Sequence, residues 1–66
     1  MAVLKVIEVL SNSDTSWEDA TRKAVKQASK SVKNIRSVYV QDQSAIVKDD
    51  VVTEFRVNVK LTFEVK

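Results

Sequence analysis

The chain has 66 residues, a formal net charge of +2, 30% charged residues, and no cysteine, histidine, glycine or proline. Lacking cysteine and histidine, it has no disulfide framework, no usual zinc, haem or iron–sulfur ligation, and neither a Ser-His-Asp nor a Cys-His nucleophile. Lacking glycine, it has no phosphate-cradling P-loop or dinucleotide-binding loop, and its turns fall to Asn, Asp and Ser. A single domain over residues 1–66 is expected. A domain this small buries only ~60% of its unfolded surface, so it needs a staple, and oligomerisation is the one left.

Residues 2–10 read as a first strand, with Leu4, Val6 and Leu10 at one parity and Val3, Ile7 and Val9 at the other. A strand apolar on both sides is usually covered on both sides. Lys5 and Glu8 interrupt it, no basic segment precedes it, and no run nears the ~18 residues of a bilayer span. The expectation is a soluble cytoplasmic protein with no membrane partner. Ser11 to Ser16 reads as a polar loop ending in a helix start. Ser16 is the expected N-cap, Asp19 forms a weaker capping box with it, and Glu18 complements the helix dipole.

The helix is expected from Trp17 to Val32 or Lys33. Ala20, Ala24, Ala28 and Val32 recur every four residues and, with Trp17 and Val25, make its buried stripe. Trp17 is read as a packing anchor. Arg22, Lys23, Lys26, Lys30 and Lys33 read as a solvated basic face. The few aromatics fall at core or sheet positions, so no nucleic-acid partner is expected.

Asn34, tolerant of left-handed backbone, is the expected helix stop. A second strand follows over about residues 35–47, with Val38 and Val40 on one face and Ser37 and Tyr39 on the other. Gln41 to Ser44 is polar on both sides, which predicts a bend, a bulge or a solvent-facing stretch. Lys48-Asp49-Asp50 is the turn before a third strand that fills the rest of the chain. Phe55, Val57, Val59, Leu61, Phe63 and Val65 alternate with Arg56, Asn58, Lys60, Thr62 and Glu64. Strand periodicity puts the six apolar groups on one face, over roughly 36 Å at ~3.3 Å per residue. A helix of ~17 residues is only about 25 Å long. The chain therefore predicts an α+β fold, strand–helix–strand–strand, with more apolar sheet than its helix can cover. A closed homo-oligomer covers the excess and protects the strand edges.

In these features the chain resembles the dodecins. The resemblance lies in Lys5-Val6-Ile7-Glu8-Val9, Ser11-Asn12-Ser13, Ser16-Trp17-Glu18-Asp19-Ala20 and the run from Ala28 to Ile35. It closes with Thr53-Glu54-Phe55-Arg56-Val57 and continues to Phe63. It implies a three-stranded antiparallel sheet wrapped around one helix, assembling into a hollow dodecamer. It also implies a non-catalytic protein that sequesters riboflavin, FMN or FAD between subunits. The family's stacking Trp aligns with Ser37 and its flavin-bonding Gln with Arg56. Ser37 has no π face, and Arg56 offers donors only. Tyr39, on the same strand face roughly 7 Å away, is the alternative stacking platform.

Some relatives of this kind lack the Trp and are associated with cations. That alternative makes Asp42 a candidate ligand for calcium or magnesium, with Asp49, Asp50, Glu54 and Glu64 as further carboxylates. Calcium takes six to eight oxygens, which no single loop here supplies; a symmetry axis would. A purely structural particle is the remaining alternative. Nothing gathers the carboxylates into a dry pocket, so no enzyme is expected.

Overall fold

The alternating third strand takes the centre of the sheet. The computed structural model describes residues 2–66 and contains β1 (Val3–Ser13), α1 (Trp17–Ala28), β2 (Ile35–Lys48) and β3 (Val51–Val65). Both outer strands pair antiparallel with β3, in the order β1-β3-β2. Val57, Val59 and Leu61 are fully buried beneath Ala20 and Ala24 of the helix. Alanine at these helix positions lets α1 lie close to the sheet. Ile7, Val9, Ile35, Val40, Trp17, Val25 and Ala28 pack around this centre half-buried.

Three boundaries differ from the sequence pattern. β1 continues past residue 10, pairing Ser11, Asn12 and Ser13 with Val57, Arg56 and Phe55. A ladder needs only backbone groups, and β3 is long enough to offer them. Helix α1 stops at Ala28, short of Val32. There Ser29 Oγ donates to Lys26 O at 2.7 Å, while Lys30 and Ser31 N–H donate to the carbonyls three residues back. Serine side chains competing for carbonyls in this way draw the last turn away from α geometry. Asn34 is left-handed (φ 65°), yet it opens β2 and does not cap the helix.

At the helix start, Ser16 Oγ accepts from Asp19 N–H at 2.9 Å. The other half of the capping box is replaced. Ser13, buried to 3% exposure, accepts from Thr15 N–H and Ser16 N–H and donates its own proton to Asp19 Oδ2 at 2.6 Å. Lys23 Nζ approaches the same carboxylate to 3.1 Å. Trp17 anchors the helix to both long strands. Its ring meets Phe55 edge-on at 4.9 Å, and its Nε1–H donates to Ser44 O at 2.9 Å.

The hairpin turns on two residues, Asp49 (φ 52°) and Asp50 (φ 64°), with Lys48 paired to Val51. Left-handed backbone at both central positions is what a twisted two-residue hairpin loop requires, and Asp tolerates it better than most side chains. The polar middle of β2 carries a bulge, one of the three outcomes its pattern allows, between Val40 and Asp42, among three register shifts along the strand.

The subunit is long and thin, 51 × 20 × 13 Å. Its radius of gyration is 13.5 Å, against ~10.8 Å for a compact chain of this length. Its surface is 4898 Å², against roughly 4200 Å² for a compact monomer of its mass. A 12-residue helix spans about 18 Å, so the hairpin projects well past it. No helix among the described residues is long and apolar enough to cross a membrane.

Two predictions test this arrangement. Leu61→Ala is expected to cost ~2–5 kcal/mol in urea unfolding, and a loss under about 1 kcal/mol would contradict a central β3. The hydrogen bond from Ser13, and then Lys23, lowers the Asp19 pKa below the ordinary carboxylate value. A lowered carboxylate contributes stability above its unfolded pKa and loses it as pH falls through the folded value. Ser13→Ala is therefore expected to raise the Asp19 pKa and start acid destabilisation at higher pH. Carboxyl NMR titration checks this, and an unmoved Asp19 would refute it.

Candidate functional site

The sheet face turned away from α1 holds every residue the sequence singles out for flavin and Asp42 with them. Register builds this face row by row across β1, β3 and β2. Val6, Thr62 and Ser37 form one row; Glu8, Lys60 and Tyr39 the next; then Leu10, Asn58 and Asp42; then Asn12, Arg56 and Ser44. Ser37 and Tyr39 thus share a face as their parity predicts, in spite of the bulge before Ser37.

Sharing a face is not the same as sharing a site. Thr62, opposite Ser37, lies six residues from Arg56 along β3, roughly 20 Å at ~3.3 Å per residue. Tyr39, opposite Lys60, is four residues from Arg56, roughly 13 Å. Within one subunit these residues do not converge on one ligand. Arg56 also has a local role, its Nε donating to Asn12 Oδ1 at 3.0 Å. Tyr39 is 65% exposed, with its ring open to solvent.

The carboxylates are likewise spread out. Asp49 and Asp50 sit at the hairpin tip. Glu64 lies at the opposite end of β3, where Arg36 Nε and Nη2 donate to its Oε1 at 3.1 and 2.9 Å. Among the described residues no three His, Cys, Asp or Glu side chains come together.

One pair lay beyond the reach of sequence reasoning. Asn58 Nδ2 donates to Glu8 Oε2 at 2.8 Å, and Asn58 Oδ1 is shielded from solvent without a hydrogen-bond partner. Asp42 is the cross-strand neighbour of Asn58. Glu8, Asn58 and Asp42 therefore place oxygen donors in adjacent rows across the three strands of the helix-free face, with Lys60 in the same row as Glu8. Buried polar atoms are nearly always partnered, so Oδ1, with no partner among the described residues, is an acceptor with spare capacity.

Two clefts flank the helix on the other side of the sheet. One, of about 490 Å³, runs between α1 and β1 and is rimmed by Lys23, Lys26 and Lys30. The other, of about 360 Å³, lies between α1 and β2 beside Trp17 and Arg22.

Comparison with known proteins places these features in context. The dodecin family model matches residues 3–66. The calcium dodecin of Mycobacterium tuberculosis is 35% identical over all 66 residues, which span 93% of that protein. The crystal structure of that calcium-chelating antigen, described as having a novel calcium-binding site, is 34% identical and superposes with a TM-score of 0.84. The match covers 97% of this chain and 91% of the other. Streptomyces coelicolor dodecin is 26% identical, with a TM-score of 0.93 over 98% of this chain and 93% of its own. The β-α-β-β order and the antiparallel sheet are common to these structures and this one.

Proposed function

Because this chain belongs to the dodecin family, we propose that it is a non-catalytic binding protein. In this reading it forms a closed homo-oligomeric shell, of twelve subunits in the family pattern, that holds a hard divalent cation between subunits. One observation carries the self-association: the sheet is largely uncovered. Among the described residues five hydrophobic side chains are buried, whereas ten large ones are exposed, including Leu4 (53%), Val6 (58%) and Leu10 (69%) on the helix-free face. The surface exceeds that of a compact monomer by roughly 700 Å². A standard interface buries ~800 Å² per partner, so one such contact removes the whole excess.

Calcium is the ligand that the donor set and the comparisons favour together. Glu8, Asp42 and the unpartnered Asn58 Oδ1 are hard oxygen donors on the helix-free face. They fall short of the six to eight oxygens calcium takes, and copies meeting around a symmetry axis supply the remainder. Magnesium suits the same donors if it keeps several waters. The mycobacterial relative, similar along this whole chain, is named for calcium. The non-catalytic reading is supported by family membership and by the spread of the carboxylates, no three of which gather among the described residues.

Flavin sequestration is a second reading, favoured by the open ring of Tyr39. Ser37 adds no stacking surface to it, and Arg56 contributes donors alone, one of them engaged by Asn12. If flavin binds, its stacking energy comes from Tyr39.

Calorimetric titration of the metal-free assembled protein with calcium is expected to give saturable heat, weakened about tenfold or more in Asp42→Asn. A flat trace at millimolar calcium would overturn the cation reading. Incubation with riboflavin decides the second reading. A colourless protein rejects it; bound flavin with quenched emission, lost in Tyr39→Ala, establishes it in place of the first.

A further inference from the structure

We infer that the β2–β3 hairpin tip of one copy docks into the lysine-rimmed groove between α1 and β1 of a second copy. The inference rests on the self-association proposed above and names the surfaces that make it. The groove has an apolar floor of Val9 and Ala24 and a rim of Lys23, Lys26 and Lys30. Lys23 is paired with Asp19. Lys26 and Lys30 form no ion pair within the subunit among the described residues. The groove thus presents grease below and two uncompensated cations above.

The hairpin tip is its complement. Val47, Val51 and Val52 are 62%, 61% and 48% exposed at the end of the hairpin. Asp49 and Asp50 form the turn between them and pair with no cation among the described residues. From Val47 to Glu54 the chain carries three carboxylates, Asp49, Asp50 and Glu54, against the single cation Lys48. Apolar flanks around an acidic turn match an apolar floor under a basic rim in both hydrophobicity and charge sign.

The tip is out of reach of its own groove. Val9 pairs with Val59, and β3 runs eight residues from there to Val51, roughly 26 Å. The contact is therefore between copies, and it joins two different surfaces. Each subunit offers one tip and one groove, so contacts run head to tail and close into rings when the rotation permits. The docked tip also shields β1, a strand at the edge of the sheet whose outer backbone groups are otherwise open.

The absence of cysteine from the chain allows a direct test. The double variant Lys26→Cys, Asp50→Cys, assembled and then oxidised, is expected to run on a denaturing non-reducing gel as a ladder of linked multimers. Neither single variant should produce that ladder. A charge test stands beside it, because Asn keeps the tolerance for left-handed backbone that the turn needs. Asp49→Asn with Asp50→Asn is expected to raise the concentration needed for assembly about tenfold at low salt. Lys26→Gln with Lys30→Gln should do the same. A wild-type protein that stays monomeric overturns the self-association reading itself. A wild-type shell overturns the docking alone if the cysteine pair links nothing and both charge-neutral pairs assemble normally. In that case the lysine groove is left to a small anionic ligand.

Discussion

The structure depends on a short helix held against the middle of a long sheet. Ala20 and Ala24 meet Val57, Val59 and Leu61, and these five are the buried hydrophobic core among the described residues. Small side chains on the helix make the approach close, but they also make the covered area small. A helix of 12 residues cannot extend that cover along a hairpin of 14- and 15-residue strands. Every unusual feature of the subunit follows from this mismatch: its length, its excess surface, and its exposed leucines, valines and tyrosine. A chain of this size has little stability to spare. Burial of the remaining sheet is thus part of what holds the fold, and the partner that offers a matching surface most readily is another copy.

Much of this was legible in the sequence. The alternation from Phe55 to Val65 has only one geometric reading, and it correctly placed Val57, Val59 and Leu61 on the buried face. The alanine spacing identified the helix stripe, and parity alone put Ser37 and Tyr39 on the same side of β2. The misjudged boundaries share a cause. Ser11 to Ser13 look like a loop because they are polar, yet they pair with β3 through backbone groups that side chains do not report. Val32 continues the four-residue spacing, yet the helix has already ended where Ser29 takes a carbonyl from it. Local hydrogen bonding decided both ends, and apolar periodicity is blind to it.

The candidate site was legible in part. The sequence identified residues of the right kind but not their distances. Ser37 and Arg56 lie on one face and far apart along it, because register and strand length, not residue type, set the separation. The Glu8–Asn58 pair was invisible for the same reason. Its members are 50 residues apart in sequence and meet only through the β1–β3 register. The one available signal was an Asn amid the charged and hydroxyl residues on the polar side of β3. A site completed by other subunits leaves only a fraction of its donors in any one chain.

Sedimentation velocity at low protein concentration is the most direct test of this account. A particle of many subunits, near twelve times the 7.4 kDa chain mass, is the predicted result, with no folded monomer at equilibrium beside it. A well-folded, compact single subunit as the stable species would contradict the account, because a lone subunit would then tolerate the exposed sheet that self-association is invoked to cover.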